Sequence, residues 1–243
     1  MAEGSARTKL ATVALVIVGF ALGFAEFIVI GITPDIAEEY GISLASAGNL
    51  VGFFAISYAV STLIIMLSTG RFRRFPLFVT FLAVFNAGNL LAIVAPTYET
   101  LLVARVLTAV VSGVLLSTVM TFINDIIPRE KSARIISFVY AGFSVASVLG
   151  TPIGTLLADA FGIKAAFIAV EAVALVVTVL LLVSVPRSGS TDVSSRVRDQ
   201  LVILKDRRII LVLIMKGFGM AATYVFYVYV TPILEDGVGL SVW

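Results

Sequence analysis

Seven stretches of apolar residues, each long enough to cross a bilayer, alternate along the chain with short polar or turn-rich breaks. About 20 apolar residues in helical form cross the hydrocarbon core, and in lipid each segment must satisfy its own backbone polar groups, which favours helix. The strand-type alternation of a barrel is absent. The pattern therefore predicts an all-α membrane protein with spans numbered 1 to 7 at 10–32, 45–67, 76–95, 98–122, 134–158, 164–185 and 209–231.

The composition supports a membrane protein and argues against an enzyme. Hydrophobic residues make up 60% of the 243 residues and charged residues 13%, whereas soluble domains carry roughly 25% charged residues. The absence of cysteine and histidine excludes disulfides, thiolate chemistry and most zinc or haem sites. We therefore expect no catalysis, no cofactor and no metal, and a net charge of +2 gives no reason to expect nucleic acid as a partner.

Lysine and arginine lie almost entirely on one side of the predicted membrane. Fourteen of the 17 fall in the N-terminus or in the second, fourth and sixth breaks, all of which share one side. The opposite side holds only Lys164, and Arg105 and Lys216 lie inside spans. Because cytoplasmic loops carry the excess of basic residues, the N-terminus and the sixth break are predicted to be cytoplasmic.

An internal repeat divides the chain. Eight positions recur 198 residues later, beginning with Gly19-Phe20 at Gly217-Phe218 and Thr33-Pro34 at Thr231-Pro232, which indicates a parallel repeat of six-span units. We expect a six-helix bundle over 1–185, a cytoplasmic linker over 186–208, and the first span of a second, incomplete bundle over 209–243. The chain is thus expected to be a shortened transporter.

Ionisable residues inside spans are functional hypotheses, because each costs at least about 2.5–3.5 kcal/mol at mid-span. Glu26 and Arg105 each lie seven residues from the outer end of their span, so they would meet if spans 1 and 4 are neighbours. A carboxylate beside a guanidinium can exchange protons as its surroundings change, which makes this pair a proton-coupling candidate; a static ion pair is the alternative. Glu171 is open between snorkelling and a cavity role, and Lys216 is expected to snorkel.

Small and amide residues indicate close helix contacts. Asn86 and Asn89 share one face of span 3, where hydrogen bonding between helices is the expected role. Small residues in span 5 allow close packing, and a proline there removes a backbone hydrogen bond and bends the helix. The residues that carry this pattern are Gly142, Gly150, Pro152 and Gly154.

Several segments together resemble the major facilitator superfamily, specifically its proton-linked drug-antiporter branch with sugar- and nucleoside-efflux members. The resemblance runs the whole length of the chain and rests on FAEFIVIGITPDIAEEYGISLASAGNL at 24–50, STGRFRRF at 68–75, ARVLTAVVSG at 104–113, NDIIPREKSAR at 124–134, GTPIGTLLADAFG at 150–162 and YVTPILEDGVGLS at 229–241.

The resemblance implies roles for several residues. Arg105 falls on the span-4 arginine implicated in proton coupling, and Glu26 matches an acidic residue of span 1. The Gly-Thr-Pro-Ile-Gly stretch at 150–154, which contains Pro152, looks like the antiporter motif of span 5. The family's loop between spans 2 and 3 is represented by Arg71, Arg73 and Arg74, with Asp125 as a possible acceptor for Arg73. Thr69 and Phe72 replace the usual aspartate and glycine of that loop.

The fold implied is a six-helix N-terminal bundle of a major-facilitator transporter plus the first helix of the second bundle. Spans 1, 4 and 7 would line the cavity, spans 2 and 5 would lie between halves, and spans 3 and 6 would face lipid. Asn49, Tyr224 and Tyr227 are further candidates for the cavity lining. The expected location is the cytoplasmic (inner) membrane of a prokaryote.

The leading function is export of a small organic solute in exchange for protons by alternating access. The expected partners are that solute, protons, the lipid bilayer and the missing second half or another chain. Two alternatives stay open: a half-transporter or fragment that is inactive without a second half, and a membrane receptor or scaffold that transports nothing. A sugar, a purine or nucleoside and a lipophilic drug all remain possible substrates.

Overall fold

All the regular structure in the described part of the chain is helical. A computed structural model describes residues 2–69, 73–185 and 205–232, without the side chains of 2–8, 69 and 224–232. No strand occurs among these residues, so the predicted all-α class is confirmed. The helices are α1 (Ala2–Gly31), α2 (Thr33–Glu39), α3 (Leu44–Thr69), α4 (Arg74–Ile93), α5 (Tyr98–Ile126), α6 (Arg129–Phe161), α7 (Ile163–Ser184) and α8 (Arg207–Pro232).

Six of the described helices are long and apolar enough to cross a membrane: α1 from Lys9 onward, α3, α4, α5, α6 and α7. They correspond in order to spans 1 to 6. The seventh predicted span, 209–231, coincides with the 26-residue helix α8. Its passage through the membrane stays a prediction.

Two helices, α2 and α6, differ from the expected boundaries. The residues that start them were assigned to the polar breaks between spans. Helix α2 lies inside the break that follows span 1, where Pro34 occupies the first turn and Asp35 adds a negative charge near the positive end of the helix dipole. Helix α6 begins at Arg129, directly after Pro128 at its N-cap and with Glu130 in its first turn. Proline and acidic residues both favour helix N-termini.

The chain separates into two compact units, Met1–Val193 and Ser194–Trp243. The first contains α1 to α7, and the second contains α8. Most of the predicted linker (186–204), the C-terminal 233–243 and the candidate loop residue Arg71 lie outside the described residues.

Helix α1 lies at the centre of the first unit. It packs against α5, α6 and α7, while α5 also packs against α3 and α4, and α4 packs against α7. In the apolar 18-residue segment of each helix, 67% of the residues of α1 and 56% of those of α5 are buried. The corresponding shares are 11% for α3 and 17% for α6. Among the six helices α1 and α3 to α7, the two least buried are therefore spans 2 and 5, which the resemblance assigns to the interface between halves. That assignment stays a prediction.

The orientation of the bundle can be tested by labelling, because the chain contains no native cysteine. We expect Arg73→Cys and Arg129→Cys, at the predicted inner face, to react with a membrane-impermeant maleimide only after the membrane is opened. Glu38→Cys, at the predicted outer face, should react in intact cells and serves as the control. Labelling of the first two positions from outside intact cells would contradict the predicted orientation.

Candidate functional site

Arg105 is a buried cation in the middle of the bundle. Its side chain is 2% exposed, and Nη1 donates a 2.7 Å hydrogen bond to the backbone oxygen of Ala25 on α1. The Cζ atom lies 4.3 Å from the ring centroid of Phe54 on α3, within the range of a cation–π interaction. Nε has no hydrogen-bond partner among the described residues. The guanidinium thus connects α5 with α1 through a hydrogen bond and with α3 through a cation–π contact, and its Nε donor forms no hydrogen bond with a described residue.

Glu26 follows Ala25 directly and is partly buried. Its carboxylate lies close enough to Arg105 for an electrostatic interaction, and it also interacts with Tyr58 on α3. The structure therefore places the predicted pair in one neighbourhood, with α1 and α5 in contact. An anion and a cation at this position offset part of each other's cost of desolvation.

Sequence reasoning missed the aromatic side of this site. Phe54 and Tyr58 are one helical turn apart on α3, with ring centroids 6.3 Å apart, and they face Arg105 and Glu26. Their four-residue spacing places them on one helix face, and this spacing is the only sequence feature that indicates the aromatic pair. Because span 2 is apolar all round, the spacing could not show that this face points to the charged pair.

The small residues of α6 form its contact with α1. A Cβ atom added at Gly150 would lie 3.1 Å from Cβ of Phe27, and one at Gly154 would lie 2.7 Å from the backbone oxygen of Ile28. Gly142 faces the backbone of Phe20 in the same way. Glycine lets the two helices come this close, so the three glycines of the predicted motif lie at one helix interface.

Glycines of α1 complete that interface from the other side. A Cβ atom at Gly19 would collide with the backbone oxygen of Val139, and one at Gly31 with that of Thr151. Thr155 also donates a 3.1 Å hydrogen bond to the backbone oxygen of Gly31. Helix α6 continues through Pro152, so the proline interrupts the hydrogen-bond ladder without ending the helix.

The ion pair of the basic loop motif involves a different arginine from the one expected. Asp125, at the C-terminal end of α5, accepts a 2.6 Å hydrogen bond from Nη1 of Arg74, and the prediction of Arg73 as its partner is wrong. Arg73 occupies the extended N-cap position of α4, whereas Arg74 is the first helical residue. Both partners are partly exposed, so the pair contributes at most about 1 kcal/mol.

The two asparagines of α4 face α7. Asn86 donates a 2.9 Å hydrogen bond from Nδ2 to Oγ1 of Thr178, which confirms the expected link between helices. Asn89 is 2% exposed, and its amide faces the carboxyl group of Glu171. Glu171 is 3% exposed, which excludes snorkelling, one of the two roles left open for it, because α7 turns this side chain into the bundle.

Acidic groups of α2 and of the C-terminal end of α6 lie close together. Burial raises the pKa of Asp35, a backbone hydrogen bond partly opposes this rise, and the nearby carboxylates of Asp159 and Glu38 add to it. Asp35 is therefore easier to protonate than a free aspartate.

Of the three further cavity candidates, only Asn49 has a described side chain. Asn49 is exposed on α3. Tyr224 and Tyr227 lie within α8, and their side chains are outside those described. Their role in lining a cavity stays a prediction.

Comparison with known proteins gives the same family along nearly all of the chain. The family model of the Major Facilitator Superfamily matches residues 15–243. The uncharacterized MFS-type transporter YtbD of Bacillus subtilis (strain 168) is 32% identical over 95% of this chain and 58% of its own length. The inner membrane transport protein YdhP of Escherichia coli (strain K12) is 29% identical over 92% of this chain and 57% of its own length.

A third relative is named for a phenotype. The chloramphenicol resistance protein of Streptomyces lividans is 27% identical over 91% of this chain and 57% of its own length. The chain therefore spans a little over half the length of these curated relatives. With six described helices able to cross a membrane and a family match over most of its residues, the chain is a multi-pass membrane protein that belongs to the major facilitator superfamily.

Proposed function

We propose that the complete protein exports a small organic solute from the cytoplasm in exchange for protons, with Glu26 and Arg105 as the coupling pair. The observation that carries the proposal is the position of Arg105, a cation 2% exposed that contacts α1 one residue before Glu26. A buried charge inside a membrane bundle is costly. A static role in packing is better met by apolar residues, because burying an ion pair gains little stability.

Coupling needs a group whose proton occupancy changes with conformation. Antiport works when the proton and the solute compete for one site or favour opposite conformations. Glu26 is partly exposed, so water or solute can reach it, and the permanent charge of Arg105 sets the balance between its ionised and protonated forms. Glu26 takes a proton while it faces outward and releases it while it faces inward.

The relatives support export across a prokaryotic inner membrane. YdhP is named an inner membrane transport protein, and the Streptomyces lividans relative is named for chloramphenicol resistance. Removal of the compound from the cell is a direct way for a membrane transporter to give resistance. We extend this class of solute, small and organic, to the present protein.

The test is solute-driven proton movement in proteoliposomes that contain the complete protein and an internal pH dye. Chloramphenicol, a sugar and a nucleoside are supplied in turn, which covers the three substrate classes. We expect at least one of them to move protons in the opposite direction, and a protonophore to remove its uphill accumulation. Equal accumulation with and without a pH gradient would contradict antiport, and no response to any of the three would contradict export of these solute classes.

A second candidate is a half-transporter that works only with another chain. The 198-residue repeat favours it, because a parallel repeat of six-span units indicates a transporter built from two halves. The same proteoliposomes separate the two functions when they contain the 243-residue chain alone. Proton movement by the proven monomer would exclude the half-transporter, and movement that requires a second half would support it.

A further inference from the structure

Glu171 is a buried acid that the proposed coupling pair does not use. It lies on α7, which packs against α1, α4 and α6, and its side chain is 3% exposed. Neither carboxyl oxygen accepts a hydrogen bond from any residue that the structure describes. An ionised carboxylate buried without donors or a cation is among the most expensive groups a bundle can hold.

Asn89 supplies a polar group that faces Glu171. This residue of α4 is 2% exposed, its amide is directed to the Glu171 carboxyl group, and its Nδ2 lacks a hydrogen-bond partner in the described part of the chain. Two unsatisfied groups on neighbouring helices thus face each other. An amide has both a donor and an acceptor, so it can serve a protonated carboxyl group at both of that group's oxygens.

In the part of the chain that the structure describes, no cation of the surrounding helices interacts with the Glu171 carboxyl group. Glu26, the one titratable residue of α1 between Leu10 and Gly31, interacts with Arg105 and Tyr58. On α4, Arg74 is paired with Asp125 at the far end. On α6, Asp159 interacts with Asp35 near the outer boundary. No described cation therefore stabilises the ionised form of Glu171.

We propose that Glu171 is held in the neutral, protonated form and makes a two-hydrogen-bond pair with Asn89 that fastens α7 to α4. The Glu171 hydroxyl donates to Oδ1 of Asn89, and Nδ2 of Asn89 donates to the other carboxyl oxygen. The pair satisfies every atom left open on both side chains. It lies on the same helix pair as the hydrogen bond between Asn86 and Thr178, and it takes no part in proton coupling.

Infrared difference spectroscopy tests the charge state directly. The spectrum of the purified protein in lipid minus that of Glu171→Gln should contain the carbonyl stretch of a protonated carboxylic acid at neutral and mildly alkaline pH. Asn89→Leu should shift this band to higher frequency, because a carbonyl that loses a hydrogen bond vibrates faster. Asn86→Leu is the matched control: it removes another buried amide of α4, and the band should not move.

Two outcomes would overturn the proposal. Loss of a carboxylate band instead of an acid band in Glu171→Gln would show that the residue is ionised. Loss of proton-driven transport in Glu171→Gln with solute binding retained would make it a coupling residue. Glutamine is nearly isosteric with the neutral acid, so folding should be kept. Since the infrared result needs no transport, failure of the export function would leave this test intact.

Discussion

Replacing Glu26 with glutamine is expected to abolish proton-driven transport by the complete protein while solute binding is retained. Glutamine keeps the size of the side chain and, like the protonated acid, has both a donor and an acceptor, but it cannot take up or release a proton. The bundle should tolerate the change because Glu26 is only partly buried, and the Arg105 hydrogen bond goes to the backbone of Ala25, which the substitution does not alter.

Two further variants separate coupling from a static ion pair. Glu26→Asp should keep partial transport, because it retains a titratable group on a shorter side chain. Arg105→Lys should transport poorly, since a lysine ammonium lacks the planar fork that bonds Ala25 and lies over Phe54. A static ion pair predicts a different ranking: Glu26→Gln would lose stability but keep the dependence of transport on the pH gradient.

The measurement combines uphill transport in proteoliposomes with equilibrium binding of the same solute. Glu171→Gln is the comparison variant, because it also removes a buried acid and is expected to transport normally. Near-normal uphill transport by Glu26→Gln would exclude this residue from coupling, whatever the substrate proves to be.

The number and order of the membrane helices could be predicted because the bilayer imposes length and apolarity on each span. Breaks such as Pro96-Thr97 agree with the end of α4 and the start of α5 at Tyr98. Helix α2 was missed because it is too short and polar to resemble a span. Its start depends on Pro34 and Asp35, whose local effect is independent of hydropathy.

The rotation of each helix about its axis could not be predicted. A span that is apolar all round carries no stripe that marks its inward face. For this reason the burial of Glu171 against Asn89 and the approach of Phe54 to Arg105 became clear only in the structure. Depth, by contrast, follows from counting residues at about 1.5 Å each, and the counted depths of Glu26 and Arg105 agree with their proximity.

Replacing Gly19 with valine is expected to destabilise the bundle by about 1–3 kcal/mol or more, the range for overpacked sites. A Cβ atom at this position of α1 would overlap the backbone oxygen of Val139 on α6. Backbone cannot turn aside as a flexible side chain can, so the helices must separate. Separation would weaken the contacts along the whole interface, including the Thr155 bond to Gly31.

Gly154→Val tests the same interface from α6, where an added Cβ would lie 2.7 Å from the backbone oxygen of Ile28. Gly52→Val on α3 is the matched control, because an added Cβ there meets nothing within 4 Å among the described residues. All three variants carry the same change of helix propensity, so only packing distinguishes them. Thermal unfolding in detergent should show a lower midpoint for the first two than for Gly52→Val. A tight contact cannot accept the Cβ atom and two methyl groups of valine without a loss of stability. Equal midpoints would therefore mean that the close approach of α1 and α6 does not hold the bundle together.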